Sequence, residues 1–306
     1  LQDKYEQLLT ISRRLMLDKS SRHFALQVVA STAINDTLLS MLSGLLKTIM
    51  QEHAGCMTQL VKFDVEAFES LREKLCDEVT YFASDAQEVL FNTPSATRYV
   101  RALTQWPVEH TETPYKAGGV YVVVGGLGGI GQQLTLHLCE QVACTVVVLS
   151  RSVAENRSQR VDDQSDVHYM QADVTEQTNL NMCFEHIRAT FGAINGVFHC
   201  AAVLNDQLIV SRQNEDASLV FAPKLQGTVN LDAATQQDQL DFFVLFSSLA
   251  AFSGNMGQSD YAAANAFLGA SSRRRNKQVK QGERCCYTVA INWPYLSAVG
   301  MRIAPD

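Results

Sequence analysis

The sequence has little of what marks membrane, nucleic-acid-binding or metal-binding proteins. No apolar run in its 306 residues approaches the roughly 18 residues that a membrane-spanning helix requires. Positive charge is in deficit, at 25 Lys and Arg against 32 Asp and Glu, whereas a phosphate backbone requires a basic face. No basic stretch followed by an apolar one opens the chain as in a signal peptide. We therefore expect neither a membrane nor a nucleic acid as partner.

Metal-type cysteine spacing is also missing. The eight cysteines do not form the paired Cys-x₂₋₄-Cys units of a structural zinc site. Cys139 and Cys144 flank a predicted turn, and Cys285 and Cys286 are adjacent within an apolar run. We expect reduced core thiols in a cytoplasmic protein, and no metal. One basic run, Arg273–Arg275, is interpreted as the solvated end of a helix.

The chain does have the alternation of apolar strands and helices that is typical of α/β proteins. Its length suggests two domains of about 150 residues each, and its start at Leu1 suggests a segment of a longer chain. Residues 1–115 alternate helical patterns with short strands, which predicts a small α/β layer without catalytic residues. In residues 116–306, continuous apolar strands such as VYVVVGG, CTVVVLS and DFFVLFSSLA are separated by helices. This part is predicted to form a Rossmann-like, doubly wound parallel sheet.

A glycine-rich turn follows the first strand of that sheet. It consists of Gly125, Gly126, Leu127, Gly128, Gly129, Ile130 and Gly131. Gly126, Gly128 and Gly131 fit the pattern G-x-G-x-x-G, which indicates a dinucleotide site when it stands between a strand and a helix. The backbone must approach a pyrophosphate there, and the helix N-terminus supplies N–H groups. A tight turn that packs the helix on the strand is the alternative.

The ends of the next two strands indicate which dinucleotide binds. The second strand ends in Ser150 and Arg151, without the acid that usually holds the ribose 2′-hydroxyl of NAD. A guanidinium suits a 2′-phosphate, which predicts NADPH, and the alternative is a surface arginine without a ligand. Asp173, beside Val174, ends the third strand, where it could accept a hydrogen bond from the adenine amino group. Its alternative role is an N-cap for the following helix.

Polar residues near the end of the sheet are candidates for the chemistry. Tyr261 and Asn265, in SDYAAANAFL, stand four residues apart and so share one helix face. Ser247 and Ser248 end the preceding strand, at the carboxyl edge where such sheets bind ligands. Lys224 lies on the helix before that strand. The ordinary alternatives are a core aromatic for Tyr261, a solvated helix residue for Lys224 and a cap for Asn265.

These motifs resemble the short-chain dehydrogenase/reductase superfamily, and most closely the ketoreductase domains of modular polyketide synthases. The resemblance covers residues 120–300 and rests on GGLGGIG, LSR, DVT, FHCAA, APKLQGTVNL, FSSLAAFSG, YAAANAFL and INWP. Ordinary superfamily members carry Tyr-x-x-x-Lys, whereas here Asn265 takes the fourth position after Tyr261 and the lysine comes from an earlier helix, as in the megasynthase subset. The segment LSGLLKTIMQEH before VKFD resembles the end of the non-catalytic structural subdomain. INWPY and the Asn–Asp after Leu204 resemble systems whose acyltransferase acts in trans.

The resemblance implies a role for each candidate. Tyr261 would donate a proton to the ketone oxygen, and Ser248, which matches the family spacing better than Ser247, would hydrogen-bond that carbonyl. A free tyrosine titrates near pH ~10, so the charges of Lys224 and of the nicotinamide ring would assist the transfer. Asn265 would hold the lysine and a relay water.

Two further positions concern the cofactor. Ala201 and Ala202 of FHCAA would contact NADPH, together with Lys224 and Tyr261. The chain departs from the family pattern where Val124 replaces threonine and where Ala202 replaces glycine. The extra methyl of Ala202 could crowd the nicotinamide ribose.

The resemblance also implies the hand of the product. In B-type reductases, which yield the D alcohol, an Asp ends an LDD-like triplet, and here Leu204 and Asn205 precede Asp206. A-type reductases carry a tryptophan eight residues before the catalytic tyrosine, where this chain has Ser253. Both signals predict a B-type reductase. The alternative role of Asp206 is an N-cap for the next helix.

The expected activity is reduction of a β-ketoacyl thioester to the β-hydroxyacyl thioester by NADPH. The substrate would be carried by an acyl carrier protein within a synthase that has further, neighbouring domains. Two alternatives stay open. A free-standing reductase of small carbonyls is disfavoured by the scaffold-like N-terminal part. A non-reducing domain, kept for structure or epimerisation, would generally lack the tyrosine or the cofactor loop.

Overall fold

The computed structural model describes residues 2–18, 23–63, 68–80, 87–92, 97–105, 113–152, 157–160, 165–213 and 216–297. The helices are α1 (Gln2–Leu17), α2 (Asp36–Glu52), α3 (Phe68–Thr80), α4 (Gly129–Gln141), α5 (Gln177–Phe191), α6 (Asp216–Phe221), α7 (Gly227–Ala234), α8 (Ala250–Ser253) and α9 (Ser259–Lys280). The strands are β1 (Phe24–Ser31), β2 (Cys56–Phe63), β3 (Glu88–Asn92), β4 (Thr97–Val100), β5 (Gly119–Val124), β6 (Cys144–Ser150), β7 (Arg157–Arg160), β8 (Asp166–Gln171), β9 (Ile194–His199), β10 (Phe242–Ser248) and β11 (Thr288–Trp293). They form two compact units, each assembled from three stretches of sequence. Because the units interleave along the chain, the division into residues 1–115 and 116–306 stays a prediction.

The first unit comprises Leu1–His110, Asn205–Ser218 and Leu249–Ala270. Its sheet has the order β1-β2-β3-β4, in which β1, β2 and β3 are parallel and β4 is antiparallel to β3. Helix α2 starts where Asn35 Oδ1 accepts a hydrogen bond from Thr37 N at 2.9 Å, an N-cap. Every residue of α2 from Leu39 to Ile49 is buried, so this helix is buried all round rather than along one face.

The second unit comprises Thr111–Leu204, Leu219–Ser248 and Ser271–Asp306. Its sheet has the order β11-β10-β9-β5-β6-β8-β7, and its neighbouring strands are parallel except for the β7–β8 pair. Strand β5 is buried along its whole length, as expected for a central strand of a parallel sheet. The chain enters at β5 and winds outward on both sides, so the prediction of a doubly wound parallel sheet is confirmed.

Sequence periodicity missed several short elements. Strands β3 and β7 and helix α8 are too short to establish a period. The predicted helix that carries Lys224 before β10 is present, and it contains a π-helical turn at Ala222–Gln226 between α6 and α7. Pro223 in this turn lacks an N–H group, which interrupts the regular helical ladder.

The interpretation of Arg273–Arg275 as a solvated helix end is wrong for Arg275. Its side chain is buried, its Nε donates to Asp232 Oδ1 at 2.7 Å, and its guanidinium lies 4.6 Å from the centre of the Phe243 ring. Helix α9 continues past the arginines to Lys280. Arg275 is therefore an interior helix position that faces the core of the second unit.

Candidate active site

A pocket of about 350 Å³ lies in the second unit at the carboxyl ends of β5, β6, β8 and β9. This is the edge at which doubly wound sheets bind ligands, where the strand order reverses. Most of the predicted cofactor residues line it, namely Gly125, Leu127, Gly128, Gly129, Ile130, Gly131, Ser150, Arg151, Asp173, Val174, Ala201 and Ala202. The structure thus brings motifs from four separate stretches of sequence around one cavity.

The glycine turn is shaped by close backbone approaches. Gly125 has a φ of +80°, and a Cβ there would lie 2.7 Å from the Cα of Ala201. A Cβ on Gly131 would lie 2.6 Å from the Cα of Gly126. Gly128 is the N-cap of α4 and makes no side-chain capping bond, which leaves the first N–H groups of the helix for a ligand. This cradle fits a pyrophosphate, although Gly126 does not line the pocket and serves the packing of helix on strand.

Ser150 and Arg151 form the pocket wall where β6 ends. Ser150 Oγ accepts a hydrogen bond from Ser152 N at 3.3 Å, and Arg151 O accepts one from Gln171 Nε2 at 3.3 Å. The Arg151 side chain is exposed. A phosphate bound at this wall would therefore meet a planar, delocalised positive charge.

Asp173 lines the pocket but does not cap the following helix. Its Oδ1 accepts hydrogen bonds from the backbone N and the Oγ1 of Thr175, at 2.9 and 2.7 Å. The N-cap of α5 is Glu176, so the alternative role assigned to Asp173 is wrong. The carboxylate instead shapes the turn next to Val174.

Lys224 is buried in the second unit, with 2% of its surface exposed. It lies in the π-helical turn, and its Nζ donates to Phe246 O at 2.9 Å. Burial lowers the pKa of Lys224 to about 8. The alternative of a solvated helix lysine is therefore wrong, and the ammonium form predominates at neutral pH.

Two neighbours of Lys224 are uncharged at neutral pH. His199 Nε2 donates to Pro223 O at 3.0 Å, because a carbonyl oxygen can only accept. Burial, followed by the charge of Lys224, lowers the pKa of His199 to about 3. Burial raises the pKa of Cys200 to about 12. Neither residue compensates the charge of Lys224.

Ser248 is the last residue of β10 and is half-buried, whereas Ser247 is buried. Ser248 stands opposite Trp293 of β11 in the parallel register. A hydroxyl at the carboxyl end of this strand can reach a ligand more readily than one inside the sheet. The structure therefore places the predicted serine at the exposed edge.

Tyr261 and Asn265 lie in the first unit, on the first turns of α9. Asn265 is fully buried inside this helix, so the alternative role of a cap is wrong, and its Nδ2 donates to Tyr261 O at 2.8 Å. Tyr261 is half-buried. A Cβ added to Gly44 of α2 would lie 2.7 Å from the carbonyl carbon of Ala262. Glycine at position 44 thus lets α2 approach the backbone next to Tyr261.

The candidate catalytic residues fall into two pairs. Ser248 and Lys224 belong to the second unit, whereas Tyr261 and Asn265 belong to the first. The arrangement of the four residues as one tetrad stays a prediction from the family resemblance.

The two stereocontrol candidates also lie in the first unit. Gln258 Nε2 donates to both carboxylate oxygens of Asp206, at 3.1 and 3.0 Å. Helix α6, the next helix, begins at Asp216, so the N-cap alternative for Asp206 is wrong. Ser253 ends α8, where its Oγ donates to the carbonyl oxygen of Gly254 at 2.9 Å.

The profile of the KR domain family matches residues 119–298. The chain belongs to this family of ketoreductase domains. Its similarity to the ketoreductases of polyketide synthases is also confirmed by relatives in Bacillus subtilis. The ketoreductase domain is 33% identical to polyketide synthase PksN over 97% of this chain and 6% of that synthase. It is 31% identical to polyketide synthase PksL over 97% of this chain and 7% of that synthase. The chain thus spans a small fraction of the relatives it matches.

Solved ketoreductases share its fold. A ketoreductase domain from the bacillaene assembly line superposes with a TM-score of 0.84 at 26% identity, covering 100% of this chain and 75% of that chain. A structure of A-type ketoreductases superposes with a TM-score of 0.77 at 23% identity, covering 96% and 63%. The second likeness shows the fold alone, so similarity of fold does not distinguish A-type from B-type reductases.

Sequence reasoning missed a buried polar network in the first unit of the ketoreductase domain. Arg212 is fully buried and ion-paired with Asp260 of α9. Glu52 accepts hydrogen bonds from the backbone N–H groups of Ile209 and Gly257. Burial raises the pKa of Asp260 to about 6, with Arg212 opposing the shift. The sequence carries no local signal of this network, because Arg212 and Asp260 are 48 residues apart.

Among the residues that the structure describes, no helix is long and apolar enough to cross a membrane. In the same part of the ketoreductase domain, no group of three or more His, Cys, Asp and Glu side chains could hold a metal ion. The cysteines are all free thiols.

Proposed function

We propose that this domain uses NADPH to reduce the β-keto group of an acyl thioester carried by an acyl carrier protein. The observation that carries the proposal is the family match over residues 119–298, which includes Tyr261, Ser248, Lys224 and Asn265. Each of them stands where the resemblance to polyketide ketoreductases implies a catalytic residue. The product would be the β-hydroxyacyl thioester.

The residues of the pocket fit a nicotinamide dinucleotide. The backbone contacts at Gly125 and Gly131 and the uncapped start of α4 make a cradle for a pyrophosphate. Arg151 would pair with the 2′-phosphate of NADPH, which supports this cofactor over NADH. Asp173 and Val174 would contact the adenine.

The chain's own residues would supply the proton and stabilise the developing charge. Bound NADPH provides the hydride that the carbonyl carbon receives. Tyr261 would donate its phenolic proton to the carbonyl oxygen, which Ser248 would hydrogen-bond as negative charge develops there. Asn265, fixed by its bond to Tyr261 O, would hold Lys224 and a relay water that restores the proton.

Lys224 is placed to keep a positive charge away from solvent. Its hydrogen bond to Phe246 O and its pKa of about 8 leave it largely protonated at neutral pH. His199 and Cys200 beside it are neutral, so its field is not cancelled by them. A buried charge is screened less than an exposed one and would favour proton loss from a nearby tyrosine.

The proposal includes a B-type outcome, which is the D-hydroxy product. The carboxylate of Asp206 is held by Gln258, and Ser253 stands where A-type reductases carry tryptophan. The loop that carries Asp206 would decide the side from which the phosphopantetheine arm enters. With hydride supplied from one side of the pocket, the side of entry would select the hand of the alcohol.

The synthase context supports the proposed partners. The relatives PksN and PksL are polyketide synthases of which this chain matches 6% and 7%, so a carrier protein and neighbouring domains are the expected partners. The likeness to the bacillaene ketoreductase and the two Bacillus relatives supports a synthase whose acyltransferase acts in trans. Free thiols throughout support a cytoplasmic location.

The decisive experiment is an NADPH oxidation assay of the 306-residue chain with a simple β-ketoacyl thioester mimic. Consumption of NADPH with formation of the β-hydroxyacyl thioester is expected. A chain that reduces small ketones but not the thioester would be a free-standing carbonyl reductase. A chain that binds NADPH without oxidising it would be a non-reducing domain.

A further inference from the structure

Two stretches of the first unit run side by side next to Tyr261. One is the loop of residues 205–213, which carries Asp206, and the other is residues 254–258, which lead into α9. Gln207 N donates to Gly257 O at 2.8 Å, in addition to the bonds between Gln258 and Asp206. The position of the loop relative to the Tyr261 helix is therefore set by contacts between these two stretches.

Arg212 fastens the two stretches from inside. Its side chain is 0% exposed and its Nη1 pairs with Asp260, the residue before Tyr261. Its Nη2 donates to the carbonyl oxygens of Asn205 at 2.8 Å, Gln207 at 3.1 Å and Gly257 at 3.1 Å. One planar guanidinium group thus holds both the loop and the start of α9.

Glu52 joins the same two stretches from the end of α2. Its Oε2 accepts from Ile209 N at 2.7 Å, and its Oε1 accepts from Gly257 N at 3.0 Å. Each carboxylate oxygen therefore holds one stretch. If Glu52 lost one of these two acceptor oxygens, the N–H group of Ile209 or Gly257 would have no partner. A buried N–H group without a partner destabilises a protein by more than an ordinary hydrogen bond stabilises it.

We propose that Arg212 and Glu52 are positioning residues that set the stereochemistry of the reduction by fixing the Asp206 loop against the Tyr261 helix. The inference rests on the proposed function, and it adds two residues that act through others rather than on the substrate. The ratio of D to L alcohol depends on the difference between the activation free energies of the two reactions. Each 1.36 kcal/mol of that difference changes the ratio tenfold. A small displacement of the loop therefore changes the ratio before it unfolds the protein.

The test compares Glu52→Gln and Arg212→Lys with matched controls in the 306-residue chain. Glu52→Gln keeps one acceptor oxygen. Arg212→Lys keeps the positive charge opposite Asp260 but loses the Nη2 group that donates to the three carbonyl oxygens. The controls are Glu78→Gln, a buried carboxylate bonded to Gln59 and Arg98, and Arg275→Lys, a buried guanidinium paired with Asp232. Glu78 and Arg275 lie outside the Asp206 loop and the start of α9.

We expect Glu52→Gln and Arg212→Lys to lower the ratio of D to L alcohol by about tenfold, with an unchanged Kd for NADPH. The controls should lower Tm and leave the ratio unchanged. If Glu52→Gln and Arg212→Lys lower Tm alone, the two residues are only structural and the inference is overturned. Should Arg212→Lys fail to fold, the milder Glu52→Gln decides in the same way. A parent chain that does not reduce the thioester would overturn the proposed function itself, and this inference with it.

Discussion

Gln258 holds Asp206 through one amide nitrogen that donates to both carboxylate oxygens, at 3.1 and 3.0 Å. Gln258 stands three residues before Tyr261, so the two predicted determinants of the reaction are connected through a short piece of chain. Under the proposed stereocontrol by Asp206, the product hand would depend on the geometry at the start of α9. The two hydrogen bonds hold the carboxylate of Asp206 in one position.

The first prediction is a predominantly D-hydroxy product. Chiral chromatography of the alcohol made from an unbranched β-ketoacyl thioester measures it, and a mainly L product would overturn the assignment.

Replacement of Gln258 by Met keeps the size but removes the amide, and hydrogen bonds to charged groups contribute about 1.5–3 kcal/mol. The D:L ratio should then fall about tenfold, whereas Gln213→Met on the exposed end of the same loop should leave it unchanged.

The second prediction concerns cofactor choice at Arg151. The loss of charge-assisted hydrogen bonds to a 2′-phosphate costs about 1.5–3 kcal/mol, so Arg151→Ala should lower kcat/KM with NADPH by about 10- to 100-fold and leave NADH nearly unchanged. Steady-state kinetics with both cofactors provides the comparison. The exposed Arg14, replaced by Ala, serves as control. Equal use of NADH by the parent chain would contradict the prediction.

The third prediction concerns the proton donor. Tyr261→Phe keeps the ring but removes the phenolic proton, and general acid catalysis typically contributes about 10²–10⁴-fold. Reduction of the thioester should fall by that factor while the Kd for NADPH, measured by fluorescence, stays the same. Tyr99→Phe, at an exposed position of β4, should behave as the parent does. An unchanged rate in Tyr261→Phe would exclude this residue as the acid.

Most of the site is readable from the sequence because its chemistry is local. The turn at Gly125–Gly131, the arginine after β6 and the Tyr261–Asn265 pair each lie within one strand–turn–helix segment or one helix. Arg212 and Asp260 are 48 residues apart, and Glu52 and Ile209 are 157 apart. No local pattern encodes such contacts, because they depend on how separate stretches of chain pack. The same reason explains why Arg275 was assigned to solvent.

The fourth prediction is a pH dependence set by Lys224. Burial lowers the pKa of this ammonium to about 8, so the charged form is present below that pH and is lost above it. The rate of reduction at saturating NADPH should therefore fall as the pH rises through about 8. In Lys224→Arg the side chain stays protonated to well above pH ~12, and the alkaline fall should move upward. A fall that stays near the same pH in this variant would assign it to another group.

The fifth prediction concerns stability in the first unit. Lys47 and Glu88 form a buried ion pair at 2.5 Å, with Lys62 at 3.9 Å from the same carboxylate. Lys47→Met should lower the free energy of unfolding by about 3 kcal/mol, because Glu88 keeps its charge without its main partner. Lys62→Met should cost less than about 1 kcal/mol, as expected for a longer, partly screened pair. Urea unfolding of both variants distinguishes these values.

The same pair predicts a loss of stability in acid. Burial by itself would raise the pKa of Glu88, but Lys47 lowers it from 4.5 to about 2. A carboxyl whose folded pKa is depressed stabilises the fold above its unfolded pKa, and this contribution is lost as the pH falls from 4.5 toward 2. The free energy of unfolding, measured across this pH range, should decline less steeply in Lys47→Met than in the parent chain. Parallel declines would contradict the assignment.

The approach of Gly44 to Ala262 has a consequence for exchanging ketoreductases between synthases. A methyl group at position 44 would lie 2.7 Å from the backbone of α9, the helix that carries Tyr261. The contact between α2 and α9 therefore has no room for a side chain at this position. A crossover at residue 115 or 116 would combine α2 of one parent with α9 of another. Hybrid enzymes made in this way would inherit a mismatch directly beside Tyr261, the proposed proton donor. Grafts that keep residues 1–306 of one parent together preserve that fit.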